Sequence, residues 1–225
     1  MVKIDGNKIY IKILYFGMYA SGKTTILDTL YKLTKEENKD IVPTENLTKI
    51  ESSSGSTLYF DKGLFQSKKQ NKVYYLVYTV AGQKSYSKLR KKVFEQTDGI
   101  IFVVDSQKKC IKDNIEFLKE LKAIASDKLI KEIPMVVMLN KQDLAETIKA
   151  EDFKEVLKEE KLWFNSNHTL STWNPKIFLS CALYDKQMNI YESFYECSRR
   201  AVMYQIYGNG KAPPKDKVPV SLAEK

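Results

Sequence analysis

The chain has 225 residues, enough for one domain with an extension rather than two, at about 150 residues per domain. Its 43% hydrophobic and 29% charged residues are ordinary for a soluble globular protein and exclude a wholly disordered chain. The net charge is +9, yet of 37 basic residues only Arg90, Arg199 and Arg200 are arginine, the residue that makes planar bidentate contacts to base edges, so a sequence-specific nucleic-acid reader is not expected.

In chain order, Val2 to Ile4 and an Asp5-Gly6 turn predict a short extra hairpin within residues 1–10, leading into a strand over Lys8 to Phe16. Thr24 to Thr34 sets Ile26, Leu27, Leu30 and Tyr31 on one face of a helix. Lys35 to Ser56 is polar and weakly periodic, with the run Ser52-Ser53-Ser54-Gly55-Ser56, and predicts a long flexible loop. Thr57 to Phe65 and Val73 to Val80 read as an antiparallel hairpin joined by the lysine-rich stretch Ser67 to Lys72. Gly99 to Asp105, Pro134 to Asn140 and Lys176 to Ala182 are continuous apolar runs, the pattern of strands buried on both faces of a parallel sheet.

Between these runs, Ile111, Ile115, Leu118, Leu121 and Ala125 form one helical stripe and Phe153, Val156 and Leu157 another. A last helix carries Ile190, Phe194, Cys197, Ala201 and Tyr204. The sum is a doubly wound α/β sheet over residues 1–207. Residues 208–225, rich in Gly, Pro and Lys, predict a flexible tail. Leu162 to Pro175, where Trp163 and Trp173 flank His168, reads as an enlarged irregular loop of packing and surface residues, placed near the base-binding end described below.

The apolar runs are far shorter than the roughly 18–20 residues that cross a bilayer, and the charged start is unlike a secretory signal. Three widely spaced cysteines and a single histidine argue against a disulfide framework or a zinc site and for a reducing, cytoplasmic home. The cysteines are expected to be small core residues. The lysines are scattered, as on a solvated surface. With Val2 and the C-terminal SLAEK offering no lipidation signal, membrane association is expected to be at most weak and electrostatic.

Gly17 to Thr24 reads GMYASGKT, the P-loop pattern, and stands between a predicted strand and a predicted helix. Its backbone N–H groups, over Tyr19, Ala20, Ser21, Gly22, Lys23, Thr24 and Thr25, would cradle phosphates at the positive end of the helix. Lys23 would reach the β and γ phosphates and the Thr24 hydroxyl would bind Mg²⁺. Asn140-Lys141-Gln142-Asp143 follows a buried strand; the Asp143 carboxylate can accept from both N1–H and the 2-amino group of guanine, a donor pair that adenine lacks. Asn140 would support the loop, and Lys141 would lay its stem along the base. In Thr79-Val80-Ala81-Gly82-Gln83, Gly82 can bring its N–H to a γ phosphate and Gln83 can orient an attacking water. Ser180-Cys181-Ala182, at the end of the last strand, can offer a backbone N–H to the guanine O6.

With these motifs in place, residues 8–207 resemble the Ras-like small GTPases, and within them the bacterial polarity GTPases of the MglA type and related archaeal GTPases. The resemblance rests on GMYASGKTT (17–25), STLYFD (56–61), TVAGQ (79–83), Arg90 within SKLRKK, DGIIFVVDSQ (98–107) and NKQD (140–143). It implies a P-loop NTPase fold, a mostly parallel six-stranded sheet flanked by about five helices. It further implies a Mg²⁺-dependent cycle of GTP binding and hydrolysis to GDP that orders and releases two switch loops. By position Thr57 becomes the switch I threonine that closes on Mg²⁺ and the γ phosphate, and residues 81–92 become switch II. The implied partners are effector proteins and a GTPase-activating regulator, of the roadblock or longin type.

Three positions depart from that pattern. Thr79 stands where most Ras-like proteins have an aspartate, so outer-shell support of Mg²⁺ must differ or be weaker. Tyr19 replaces a common P-loop glycine, and a side chain of that size beside the γ phosphate is expected to hinder the transition-state arrangement of Gln83. Ser56 replaces an arginine that the MglA type keeps before its switch I threonine, leaving Arg90 to serve either in catalysis or in a salt bridge that stabilises switch II. Slow unassisted hydrolysis is therefore expected, with a catalytically weak GTP-binding scaffold as the alternative; an ATP-using P-loop enzyme is disfavoured by NKQD.

Overall fold

Continuous apolar sequence forms the centre of the sheet. The computed structural model describes residues 3–50 and 60–218. The described residues form nine strands: β1 (Lys3–Asp5), β2 (Lys8–Phe16), β3 (Ile41–Pro43), β4 (Thr48–Ile50), β5 (Phe60–Ser67), β6 (Val73–Thr79), β7 (Gly99–Asp105), β8 (Met135–Asn140) and β9 (Lys176–Leu179). They make one sheet in the order β3-β5-β6-β2-β7-β8-β9, with β1 added to β2 and β4 to β5. From β6 to β9 the pairings are parallel, and β5 returns antiparallel to β6. The expected six strands thus become nine, because β3 and β4 extend the β5 edge and β1 adds to interior β2, while the α/β class holds.

Five α-helices cover the sheet: α1 (Lys23–Glu36), α2 (Ser87–Phe94), α3 (Ile111–Ala125), α4 (Ala150–Glu159) and α5 (Ile190–Gly208). The alternation of the pleat divides the core in two. Leu14 and Phe16 of β2 point into a core closed by Val93 of α2, Leu118 of α3 and Phe153 of α4. Ile11, Ile13 and Tyr15 point into the other, closed by Ile26 and Leu30 of α1 and Phe194 of α5. Strands β7 and β8 are buried along their whole length, as their unbroken apolar sequence requires.

The N-terminal hairpin is present, with its turn one residue later than expected. Asp5 pairs with Lys8, so Gly6-Asn7 is the two-residue turn, and Gly6 supplies its positive φ of +56°. The segment expected to be one long loop carries β3 and β4, both held by antiparallel pairing to β5. Residues 51–56 of that loop, and the first residues of the strand expected from Thr57, lie outside the described residues. The tail does not begin at residue 208. Ala212 N–H donates to the Lys131 carbonyl at 2.7 Å, Trp173 Nε1–H donates to the Pro213 carbonyl at 2.8 Å, and Val218 is buried in the core. Of the cysteines, Cys181 and Cys197 are buried as expected but Cys110 is half-exposed. No helix of the described residues is long and apolar enough to cross a membrane.

Candidate functional site

The P-loop is the turn from β2 into α1, at the ends of the parallel strands where ligands of open α/β sheets bind. Gly22 precedes α1 with φ +98°, and a Cβ there would stand 2.3 Å from Asn140 Nδ2, so glycine alone fits. Asn140 Nδ2–H donates to the Ser21 carbonyl at 2.8 Å, tying the base motif to the P-loop across 119 residues of sequence.

A cavity of about 330 Å³ opens beside this turn, lined by Tyr19, Ala20, Gly22, Lys23, Thr24 and Thr25 on one side and by Asp61 and Thr79 to Gln83 on the other. The Lys23 ammonium donates to the carbonyls of Gly17 at 2.9 Å and Met18 at 2.7 Å. Burial, and secondarily the charge of Arg90, bring its pKa down to about 7 against the opposing pull of Asp61. Phosphate oxygens placed there would favour its charged form.

Asp61 supplies a carboxylate that the sequence motifs did not single out. It faces Thr79 across β5 and β6: Asp61 N–H donates to Thr79 Oγ1 at 3.0 Å, and Thr79 Oγ1–H donates back to Asp61 Oδ2 at 3.1 Å. Thr24 Oγ1–H donates to the same Oδ2 at 2.6 Å. A carboxylate thus stands on the strand next to position 79, where the motif aspartate is replaced by threonine. The only sequence signal for it is the final residue of STLYFD. Two hydroxyls around one buried carboxylate fit Mg²⁺, which takes hard oxygen ligands and usually one or two carboxylates along with substrate phosphates.

Switch II lies directly on the P-loop. A Cβ on Gly82 would stand 2.1 Å from Tyr19 N and 2.3 Å from Met18 C. Gln83 is exposed at the cavity mouth. Arg90 of α2 holds this segment from behind: its Nη1 donates to the carbonyls of Ala81 at 2.8 Å and Gln83 at 2.6 Å, while Nε and Nη2 donate to the two oxygens of Glu120 on α3. Its guanidinium lies 5.0 Å from the ring centre of Phe117, and the residue is 1% exposed. Of the two roles open to Arg90, the salt bridge that stabilises switch II is the one these contacts serve.

At the base end, Lys141 takes φ +70° and donates through Nζ to buried Asp105 at 2.6 Å. Asp143 is exposed and accepts from Cys181 Sγ at 3.4 Å. Burial pushes the Cys181 thiol up, so it stays a donor. Within the tripeptide, Ser180 N–H donates to the Leu139 carbonyl and Cys181 N–H to that of Met188. The Ala182 N–H makes no such backbone bond among the described residues and is the donor left for a ligand. Ser56 and Thr57 lie outside the described residues. Trp173 and His168 sit away from this end: they precede β9, and Trp173 packs edge-on against Tyr204 at 5.0 Å, near the C-terminus of α5, correcting the expected position.

The model of the ADP-ribosylation factor (Arf) family matches residues 1–199. The chain is 30% identical over 163 residues to mutual gliding-motility protein MglA of Myxococcus xanthus, covering 69% of this chain and 80% of that protein. It is 31% identical over 159 residues to mouse ADP-ribosylation factor-like protein 14, covering 69% of this chain and 71% of that one. Against ADP-ribosylation factor-like protein 3 of Saccharomyces cerevisiae the identity is 30% over 155 residues, covering 67% and 69%. Together with a P-loop, a guanine-type base motif and a switch segment gathered at one end of a mostly parallel sheet, these matches establish that the chain belongs to the ADP-ribosylation factor family of Ras-like small GTPases.

Proposed function

We propose that this protein is a cytoplasmic molecular switch that binds GTP and GDP with Mg²⁺, hydrolyses GTP slowly on its own, and is controlled by partner proteins. The observation that carries the reading is the bond from Asn140 to the Ser21 carbonyl, which makes phosphate loop and base loop one preorganised unit. Lys23 exchanges the Gly17 and Met18 carbonyls for β and γ phosphate oxygens. Asp143, steadied by Cys181, pairs with N1–H and the 2-amino group of guanine, and the Ala182 N–H serves O6. Thr24 binds the Mg²⁺, with Asp61 and Thr79 behind it and Thr57 joining from switch I. The metal, when bound, neutralises charge on the phosphates. Gly82 offers its N–H to the γ phosphate and Gln83 orients the water.

The regulator and effectors act through the switches. A regulator of the roadblock type is suggested by the likeness to MglA. The experiment is to identify by chromatography the nucleotide carried by the purified protein, then to compare GTP hydrolysis by wild type and Gln83→Leu. Guanine nucleotide, with hydrolysis lost in the variant, is expected. Asp143→Ala should abolish the preference for guanine over adenine nucleotides, and unchanged preference would reject the base assignment. Tyr19 and Thr79 favour a second reading, a nucleotide-locked scaffold, which retention of GTP without phosphate release over hours would select.

A further inference from the structure

Every arginine of this chain is committed elsewhere. Arg90 is held by Glu120 and two switch II carbonyls. Arg199 and Arg200 both donate to Glu196, at 2.7 and 2.6 Å, and Arg200 also donates to the carbonyls of Trp173 and Asn174, at the end of the sheet away from the P-loop. Phosphoryl transfer spreads charge over the γ oxygens, and an arginine commonly meets it. Side-chain donors around the cavity are fewer than its lining suggests, since Thr24 and Thr79 give their protons to Asp61. Lys23 is set for the β and γ oxygens on the inner side. On the outer side stands Tyr19, 62% exposed, bonded to no group among the described residues, and carried on the P-loop backbone against which Gly82 packs.

We infer that Tyr19 is a catalytic residue in the place of an arginine: its phenol donates a hydrogen bond to a γ-phosphate oxygen and strengthens that bond as charge develops in the transition state. This rests on the GTPase reading. Water oriented by Gln83 attacks the γ phosphorus, the bond to the β–γ bridging oxygen breaks with its electron pair leaving on GDP, and the proton of the water ends on inorganic phosphate. The phenol keeps its own proton throughout. A neutral donor of this type gives less than a guanidinium, which agrees with the slow intrinsic rate proposed above.

The test is single-turnover hydrolysis of bound GTP by wild type, Tyr19→Phe and Tyr19→Gly, beside GDP and GTP affinities and thermal unfolding. The inference expects both variants to lose about 10-fold in rate, less than the roughly 10²-fold cost of removing a fully preorganised, water-excluded donor, because the phenol is exposed. GDP affinity and unfolding should be unchanged, because GDP lacks the γ phosphate and the ring is exposed; GTP affinity should fall less than the rate, because the bond strengthens in the transition state. Equal rates in Tyr19→Phe and wild type overturn it. A faster Tyr19→Gly also overturns it, showing that the ring only obstructs the site, and so does a wild type that binds GTP and releases no phosphate. A wild type with no affinity for guanine nucleotides instead rejects the GTPase reading itself.

Discussion

Asp61 shows how a site can keep its chemistry while a motif position changes. A threonine at position 79 cannot supply the negative charge that an aspartate gives an outer metal shell, but its hydroxyl can hold a carboxylate that comes from the next strand. The same oxygen of Asp61 accepts from Thr24, so the hydroxyl proposed to bind Mg²⁺ is already oriented by that carboxylate. Partners of this rank commonly contribute 10- to 100-fold to metal affinity. Asp61→Ala is therefore expected to raise the Mg²⁺ concentration needed to retain GDP by roughly tenfold or more, measured as the GDP dissociation rate in a Mg²⁺ titration. Adding Thr79→Asp to that variant should restore part of the loss, since the carboxylate returns to the same spot from the other strand. An unchanged titration for Asp61→Ala would remove the acid from the metal site.

At the scale of elements, switch II is shaped from both sides, by the P-loop under Gly82 and by α3 behind Arg90. The Arg90–Glu120 pair is bidentate and its arginine is almost fully buried, while the Glu120 side chain keeps 24% exposure. Removing one member of a buried pair strands the other, at a cost of 3–5 kcal/mol in well-buried cases. Arg90→Ala should cost about 3 kcal/mol in denaturant unfolding, at the lower end because Glu120 meets water. Amide exchange over residues 81–94 should accelerate with it, since Ala81 and Gln83 lose the donor that fixes their carbonyls. Any fall in hydrolysis would then follow from a loosened Gln83. Lost hydrolysis with stability and exchange unchanged would instead place Arg90 in the chemistry.

Across the whole molecule, the C-terminal segment closes the end of the domain opposite the nucleotide cavity. Gly208 ends α5, after which the chain turns back so that Pro213 receives the Trp173 indole and Val218 enters the core. Arg200 stacks over the same tryptophan at 6.0 Å and binds the Trp173 and Asn174 carbonyls, so α5, the segment before β9 and the chain after Gly208 form one packed corner. Deleting residues 209–225 removes the hydrogen bonds of Trp173 to Pro213 and of Ala212 to Lys131 and the buried Val218, together about 3 kcal/mol. The melting temperature should fall by roughly 5–10 °C for a domain of this size. Trp173 emission should shift to the red. A mobile tail would leave both unchanged.

The elements legible in the sequence are those whose stability is written in contiguous residues. Lys8 to Phe16 and Gly99 to Asp105 form strands with the bounds that their apolar runs indicate, and α3 buries Leu118, Leu121 and Ala125 of its expected stripe, with Asn114 and Phe117 buried where Ile111 and Ile115 are only half-buried. The P-loop, the switch segment and the base motif were legible for the same reason: each is a short string whose backbone geometry and side-chain chemistry are local. What the string could not carry depends on which distant residues meet. The three-residue strands β3 and β4 are too short to show a period of their own and are held by the edge that β5 offers them. The segment after Gly208 is ordered as far as Val218 because Trp173 and the core receive it. Arg90 became a structural cation because Glu120, 30 residues on, lies beside it. Residue types and spacing by themselves determined that this is a guanine-nucleotide type P-loop domain. Pairing across strands decided that the Asp61 carboxylate stands beside Thr24 and Thr79, because hydrogen bonding and burial act between neighbours in space, whatever their separation along the chain.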